Sequence, residues 1–232
     1  MRQSFFNLLV ITVFVAALGT AAFAQKAKEM KAAEDRVDKA SAVFTEVMKI
    51  DDKAIPRDLL AKAKAVVVFP GALKFGFIVG GQGGSGVAIR HLDKGWSAPA
   101  FINMAGGSFG AQIGGQKTDY VLLIMNEKGL DGLLADKFEI GGEGSVSAGP
   151  VGRTAAASTN ATLDAEILSY SRSKGLFAGI VLKGVVITQD ESINQAVYKK
   201  SARDILGNPP TASTDAPASL QKFPKTVAIY AK

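Results

Sequence analysis

The phrase Phe-Gly-x-x-x-Gly-Gly-Gln occurs twice, at residues 75–82 and 109–116, and a shortened echo, Ile140-Gly141-Gly142-Glu143, follows. Each copy sets a β-branched residue, Val79, Ile113 or Ile140, directly before paired glycines. β-Branched residues favour extended backbone, and glycine, which lacks a Cβ, lets that backbone bend sharply or approach another segment closely. The repetition therefore constrains the chain to strands that bend or cross at short range, with Gly81 and Gly115 at equivalent bends. On this reading the glycines are structural before they are functional.

Twenty-three of the 25 glycines lie between positions 71 and 184, so turns, bulges and close contacts concentrate there. From residue 66 to 188, alternation and β-branched runs predict strands over 66–69, 75–80, 86–90, 98–104, 111–116, 120–125, 138–142, 145–148, 154–161, 165–171 and 177–188. Asp93-Lys94-Gly95 reads as a hairpin turn, and a short helix is predicted over 127–136. Outside the region the period changes. Met30, Ala33, Val37, Ala40, Phe44 and Val47 recur at spacings of three and four, the stripe of a helix over 26–49. Its charges are mixed in sign, whereas a membrane-surface helix has a mainly basic polar face, so it is expected to pack on the core. Pro56 opens a second short helix to about residue 63, and a late helix is predicted over 191–206 with Asp190 as its cap and Gly207 at its end. The fold class that follows is α+β, a Gly-rich, strongly bent antiparallel β-sheet or barrel flanked by N-terminal and C-terminal helices.

Residues 1–24 combine Arg2, an apolar run and the small-residue pattern Ala22-Phe23-Ala24. This predicts a signal peptide cleaved after Ala24 and a periplasmic or secreted protein, because the apolar stretch is shorter than the roughly 20 residues of a spanning helix. Residues 25–206 are expected to form a single domain, 207–219 a linker of prolines and small residues, and 220–232 a C-terminal segment packed on the domain. In that last segment Pro224 interrupts a helical pattern, while Val227 and Ile229 alternate like a strand. The chain has no cysteine, which excludes disulfides, thiol catalysis and thiolate metal sites. Its formal charge of +6 is unevenly spread: residues 55–95 carry six basic and two acidic groups, 119–166 three basic and eight acidic. Such alternation polarises the field of a folded domain and favours an anionic surface on one side.

Motifs that resemble catalytic signatures fail on context. Residues 81–86 satisfy GxGxxG, but a dinucleotide site needs a helix next, and 87–90 reads as a strand. Gln116 intrudes where Gly110 through Thr118 would form a phosphate-binding loop. Gly106-Gly107-Ser108-Phe109-Gly110 matches GxSxG, yet the only histidine, His91, precedes Ser108 beside a turn, and a triad needs a later one. Asp131, Asp136, Glu139 and Glu143 fit no metal-binding loop, so neither a metal nor any other cofactor is expected. Nucleic acid is disfavoured because Trp96 and the four tyrosines are not interleaved with basic clusters.

A run of motifs resembles the SYLF domain family: Ile55-Pro56-Arg57-Asp58-Leu59-Leu60, Ala65-Val66-Val67-Val68-Phe69-Pro70-Gly71, Lys74-Phe75-Gly76-Phe77 and Gly80-Gly81-Gln82-Gly83-Gly84-Ser85-Gly86. The resemblance continues through Gly95-Trp96-Ser97-Ala98-Pro99, Asp119-Tyr120-Val121, Phe138 and the 190–206 segment. It implies a non-enzymatic domain that binds acidic phospholipid, phosphoinositides in eukaryotic members, some of which also bind actin. It also implies a helix for the terminal segment. On this reading the chain is expected to depart from those members in carrying an export signal and no second signalling domain. Arg57, Lys62, Lys64 and Lys74 flank the apolar strand that leads into the glycine phrase, and flexible ammonium groups hold phosphate headgroups without strict geometry. They are the candidate lipid-binding residues, with helix solubility as their alternative role. The competing reading is a structural or protein-interaction module of the cell envelope; an actin partner is not expected in that compartment.

Overall fold

The computed structural model describes residues 2–50, 54–110, 116–152 and 164–231, with side chains from Ala24 onward except at 76–79 and 108–110. Helix α1 (Arg2–Met48) is followed by α2 (Arg57–Lys62) and three strands, β1 (Ala65–Arg90), β2 (Ala100–Gly110) and β3 (Gln116–Ile124). Then come α3 (Glu127–Leu134), β4 (Lys137–Ile140), β5 (Val146–Ala148), β6 (Ile167–Ser173), β7 (Leu176–Gly179) and β8 (Val185–Gln189). Helices α4 (Glu191–Tyr198), α5 (Ala202–Leu206) and α6 (Lys222–Tyr230) close the described chain, with short 3-10 turns at Ser213–Asp215 and Ala218–Leu220 before α6.

The expected α+β architecture is present, with one sheet ordered β4-β8-β2-β1-β3-β6-β5 and β7 paired to β6. All its ladders are antiparallel except β5 with β6. Its two outermost strands, β4 and β5, are consecutive in the chain, separated only by residues 141–145. Five residues span at most about 18 Å, so the edges must lie close and the sheet must curl into a half-barrel.

Strand β1 dictates the curl. The expectation of three separate strands in 66–90 is corrected to one of 26 residues. The break foreseen at Pro70-Gly71 is a β-bulge: the register with β3 slips between Phe69 and Ala72, and Gly71 takes φ +61°. A bulge tolerates proline's missing N–H, and here Gly71 N–H donates instead to Asp119 Oδ1 at 2.7 Å. Beyond the bulge the strand stays paired with β3 through Lys74 and then pairs with β2, from Ile78 opposite Gly110 to Ala88 opposite Ala100. Its second half crosses its own first half. A Cβ on Gly84 would lie 2.8 Å from Ala72 Cβ, and one on Gly86 would lie 2.4 Å from Phe69 Cδ1 and 2.7 Å from Val68 O.

This relocates the close approach inferred from the repeat. At Gly81 the atoms nearest an added Cβ belong to the ring of Phe75, which is exposed, and Gly115 lies outside the described residues. Around the first phrase, the glycines crowded by the backbone of β1 itself are Gly84 and Gly86, just after its end at Gln82. The strand expected over 154–161 also falls outside the described residues, and the one expected over 177–188 is interrupted between β7 and β8, where Gly184 takes φ +70°.

Helix α1 lays Ala33, Val37, Ala40, Phe44 and Val47 into the core, the stripe read from the sequence. Phe44 meets Phe223 and Tyr230 of α6 edge-on at 6.2 and 6.1 Å, which draws the terminal segment onto α1 as a helix. Pro224 sits in the first turn of α6, where its missing N–H costs nothing. The single late helix expected over 191–206 is two. Lys199 ends α4 in a left-handed conformation, and Ser201 with Asp204 forms a capping box that restarts the chain as α5. Asp190 does cap α4, accepting from Ile193 N–H.

Candidate functional site

Helix α2 is a single turn and a half held by Leu59 and Leu60, which are buried. That burial fixes its other face outward, so Arg57 and Lys62 are exposed. The Arg57 guanidinium lies over the Tyr230 ring at 5.8 Å. Lys64, just before β1, pairs with Glu127 at 2.9 Å. These three stand at one end of the β1–β3 ladder, where Ala65 pairs with Ile124. Lys74 stands at the other, paired with Gln116. Ten residues of extended chain separate Lys64 from Lys74, about 30 Å of contour at the rise of a strand.

The sheet therefore brings together Arg57, Lys62 and Lys64 and holds Lys74 apart. Lys74 Nζ lies 5.4 Å from the centre of the Tyr120 ring, and desolvation lowers its pKa. Tyr120 is buried and donates through its hydroxyl to Gln82 Oε1 at 2.8 Å; burial raises its own pKa. Gln82 in turn donates to Gly107 O at 3.0 Å. The glutamine of the first phrase thus bridges β3 and β2 inside the curl.

Two further cations, which sequence reasoning did not single out, stand near Lys74. Lys117 opens β3, and Lys174 forms the β6–β7 turn with Gly175 at φ 50° and 78°. The dipeptide Lys174-Gly175 between two strand-like runs was the available signal, because positive φ at both positions marks a tight hairpin. The nearest carboxylates are engaged elsewhere. Asp119 Oδ2 accepts from Arg172 at 2.8 Å, and Arg172 also binds Glu46 of α1. Desolvation alone would lower the Arg172 pKa, but those two carboxylates raise it and keep the guanidinium charged.

The catalytic look-alikes take ordinary structural positions. Residues 81–86 and Ser108 lie within paired strands, Ser108 opposite Gly80, with no strand-to-helix turn at either. Lys117 and Thr118 belong to strand β3, not to the helix that a phosphate-binding loop would open. His91 stacks on Trp96 at 4.5 Å as the hairpin closes. Among the described residues no group of three His, Asp or Glu gathers to hold a metal. A cleft of about 610 Å³ between α3 and α5 is lined by Asp131, Leu134, Lys200, Arg203 and Asp204, charges of both signs that offset one another. Arg203 there donates to Leu134 O, and Lys200 donates to Thr211 Oγ1.

The sheet curls around a packed interior and displays charged groups around its rim. Residues 105–228 match the family model described as Ysc84, Las17-binding protein actin regulator. The chain belongs to this family, the SYLF domain proteins, as its motifs indicated. LAS seventeen-binding protein 3 of Saccharomyces cerevisiae is 38% identical over 151 residues, 63% of this chain and 33% of that protein. An SH3 domain-containing protein of Schizosaccharomyces pombe is 40% identical over 152 residues, 63% and 35% of the two chains. Human SH3 domain-containing YSC84-like protein 1 is 33% identical over 169 residues, 70% and 49%. This chain thus spans between a third and a half of the length of these relatives. The family description speaks of binding and regulation, and the first relative's name of binding.

Proposed function

We propose that the chain is an exported, non-catalytic SYLF domain that binds acidic phospholipid at a membrane surface. The observation that carries this reading is the set of uncompensated cations: of the four residues flanking the first phrase, Arg57, Lys62 and Lys74 form no ion pair among the described residues. Each such cation is worth about 1 kcal/mol at an anionic bilayer, and no covalent chemistry is required of it. No helix among the residues with described side chains, from Ala24 onward, is long and apolar enough to cross a membrane. Export with cleavage after Ala24 is consistent with α1, whose first described buried residue is Ala33. Flotation of the chain with phosphatidylglycerol-containing vesicles at two salt concentrations tests the proposal. Binding that falls as salt rises supports it, and failure to float with anionic vesicles refutes it.

The relatives' names favour a second reading, a module that binds protein. In an exported protein its partner would be a component of the cell envelope, and an actin regulator would require delivery to a eukaryotic cytoplasm. Co-purification with an envelope protein, without vesicle binding, supports this alternative.

A further inference from the structure

One end of the half-barrel displays apolar and cationic side chains together. Leu73, Phe75 and Leu176 are 50%, 59% and 77% exposed, three of the five large hydrophobic residues left in water among the described side chains. They come from β1 and β7 at one end of the sheet, with Leu176, opposite Ser173, on the face of Gln116 and Lys74, and Leu73 and Phe75 on the other face. Leu73 stands opposite Lys117 in the β1–β3 register, so the two share a face, and Phe75 is on that face two residues on. Gln116 Nε2 donates to Ser173 Oγ, and Ser173 Oγ donates to Lys117 O. These bonds hold the start of β3 against the β6–β7 hairpin, whose turn is Lys174-Gly175 and whose next residue is Leu176. Lys117 and Lys174 are exposed and have no ion pair among the described residues.

We propose that this end of the sheet is the surface that enters an anionic bilayer, with Leu73, Phe75 and Leu176 at the headgroup–acyl boundary and Lys117 and Lys174 on the lipid phosphates. The inference rests on the lipid reading above and adds where contact is made. Clustered exposed apolar residues mark an interaction surface. Lysine is depleted at protein interfaces, whereas an ammonium on a flexible stem suits mobile phosphates and can reach up beside a buried apolar neighbour. Asp119 and Glu46 share Arg172, and the one negative charge left over is outnumbered by Lys74, Lys117 and Lys174, so the surface stays positive. The α2 end lacks this combination: Lys64 is paired with Glu127, and Leu59 and Leu60 are buried.

The test compares the full chain with three double variants, Leu73→Ser/Leu176→Ser, Lys117→Glu/Lys174→Glu and Lys62→Glu/Lys64→Glu, on phosphatidylcholine vesicles with and without phosphatidylglycerol. All six positions are exposed, and an unchanged melting transition checks that each variant is folded. Withdrawing two exposed apolar side chains from the bilayer should weaken binding by about tenfold or more. The Lys117→Glu/Lys174→Glu pair should lose a similar factor and part of the salt dependence, and the α2 pair less than about threefold. Phe75→Trp supplies an independent readout, since its emission should shift to the blue on anionic vesicles only. Wild-type binding that survives the Leu73→Ser/Leu176→Ser change, or that is lost instead with the α2 pair, overturns the assigned surface and leaves the lipid reading standing. A wild-type chain that ignores anionic vesicles overturns both.

Discussion

Gly86 offers the sharpest test of why the chain repeats its glycines. An alanine there places a Cβ 2.4 Å from Phe69 Cδ1 and 2.7 Å from Val68 O, inside any real carbon–carbon or carbon–oxygen contact. Neither neighbour can retreat cheaply: Phe69 is fully buried, and Val68 is tied into the ladder opposite Val121. Overpacking of this kind costs about 1–3 kcal/mol. Alanine also recovers about 0.5–1 kcal/mol of the chain entropy that glycine loses in a strand. Gly107→Ala isolates that gain, because Gly107 lies in the same β1–β2 ladder, opposite Gly81, with nothing within 4 Å of its added Cβ. The difference between the two variants is therefore the steric term alone. At about 2–4 °C per kcal/mol for a domain of this size, Gly86→Ala should melt about 2–12 °C below Gly107→Ala by circular dichroism. If Gly86→Ala melts at or above Gly107→Ala, the crossing of β1 over itself is not what the glycine serves.

Gly81→Val should stay folded and lose about 1 kcal/mol or less, because the obstructing Phe75 ring is exposed and can turn aside; loss of the cooperative transition would show that the bend at Gly81 is as tight as the repeat first implies. Asp190→Asn should keep the α4 cap but leave the Arg36 guanidinium, 2.8 Å away and little exposed, without its counter-charge, costing about 1–3 kcal/mol in urea unfolding at neutral pH. Burial would raise the Asp190 pKa, but Arg36 and the hydrogen bonds from Ile193 and Ser192 outweigh it and hold the pKa below its usual 3.8, so the stabilisation is present above that value and lost as pH falls through the lowered one. Wild type and Asp190→Asn should therefore converge in acid, and a gap that persists at the lowest pH refutes the assignment. Intact mass of exported material should correspond to a chain beginning at Gln25, and a retained apolar segment would replace peripheral attachment with an anchor.

Local chemistry alone makes several elements legible in the sequence. The 3–4 spacing from Met30 to Val47 declares a helix with one apolar side, because neighbours three and four apart share a helix face whatever they pack against. Asp190 announces a cap, and Asp93-Lys94-Gly95 a hairpin, through turn and cap geometries that a few adjacent residues satisfy among themselves. The glycine phrase likewise marks close backbone approach. Which glycine meets which neighbour was decided only when β1 crossed itself, since Gly86 and Phe69 are distant in sequence and no local pattern encodes their encounter. The same holds for function. The sequence pointed to cations around the first phrase, but register alone sent Lys74 about 30 Å along the strand from Lys64 and set it near Lys117 and Lys174. A strand's period of two tells which residues share a face, while the partner strand and the offset against it determine what that face displays, and those are properties of the folded sheet.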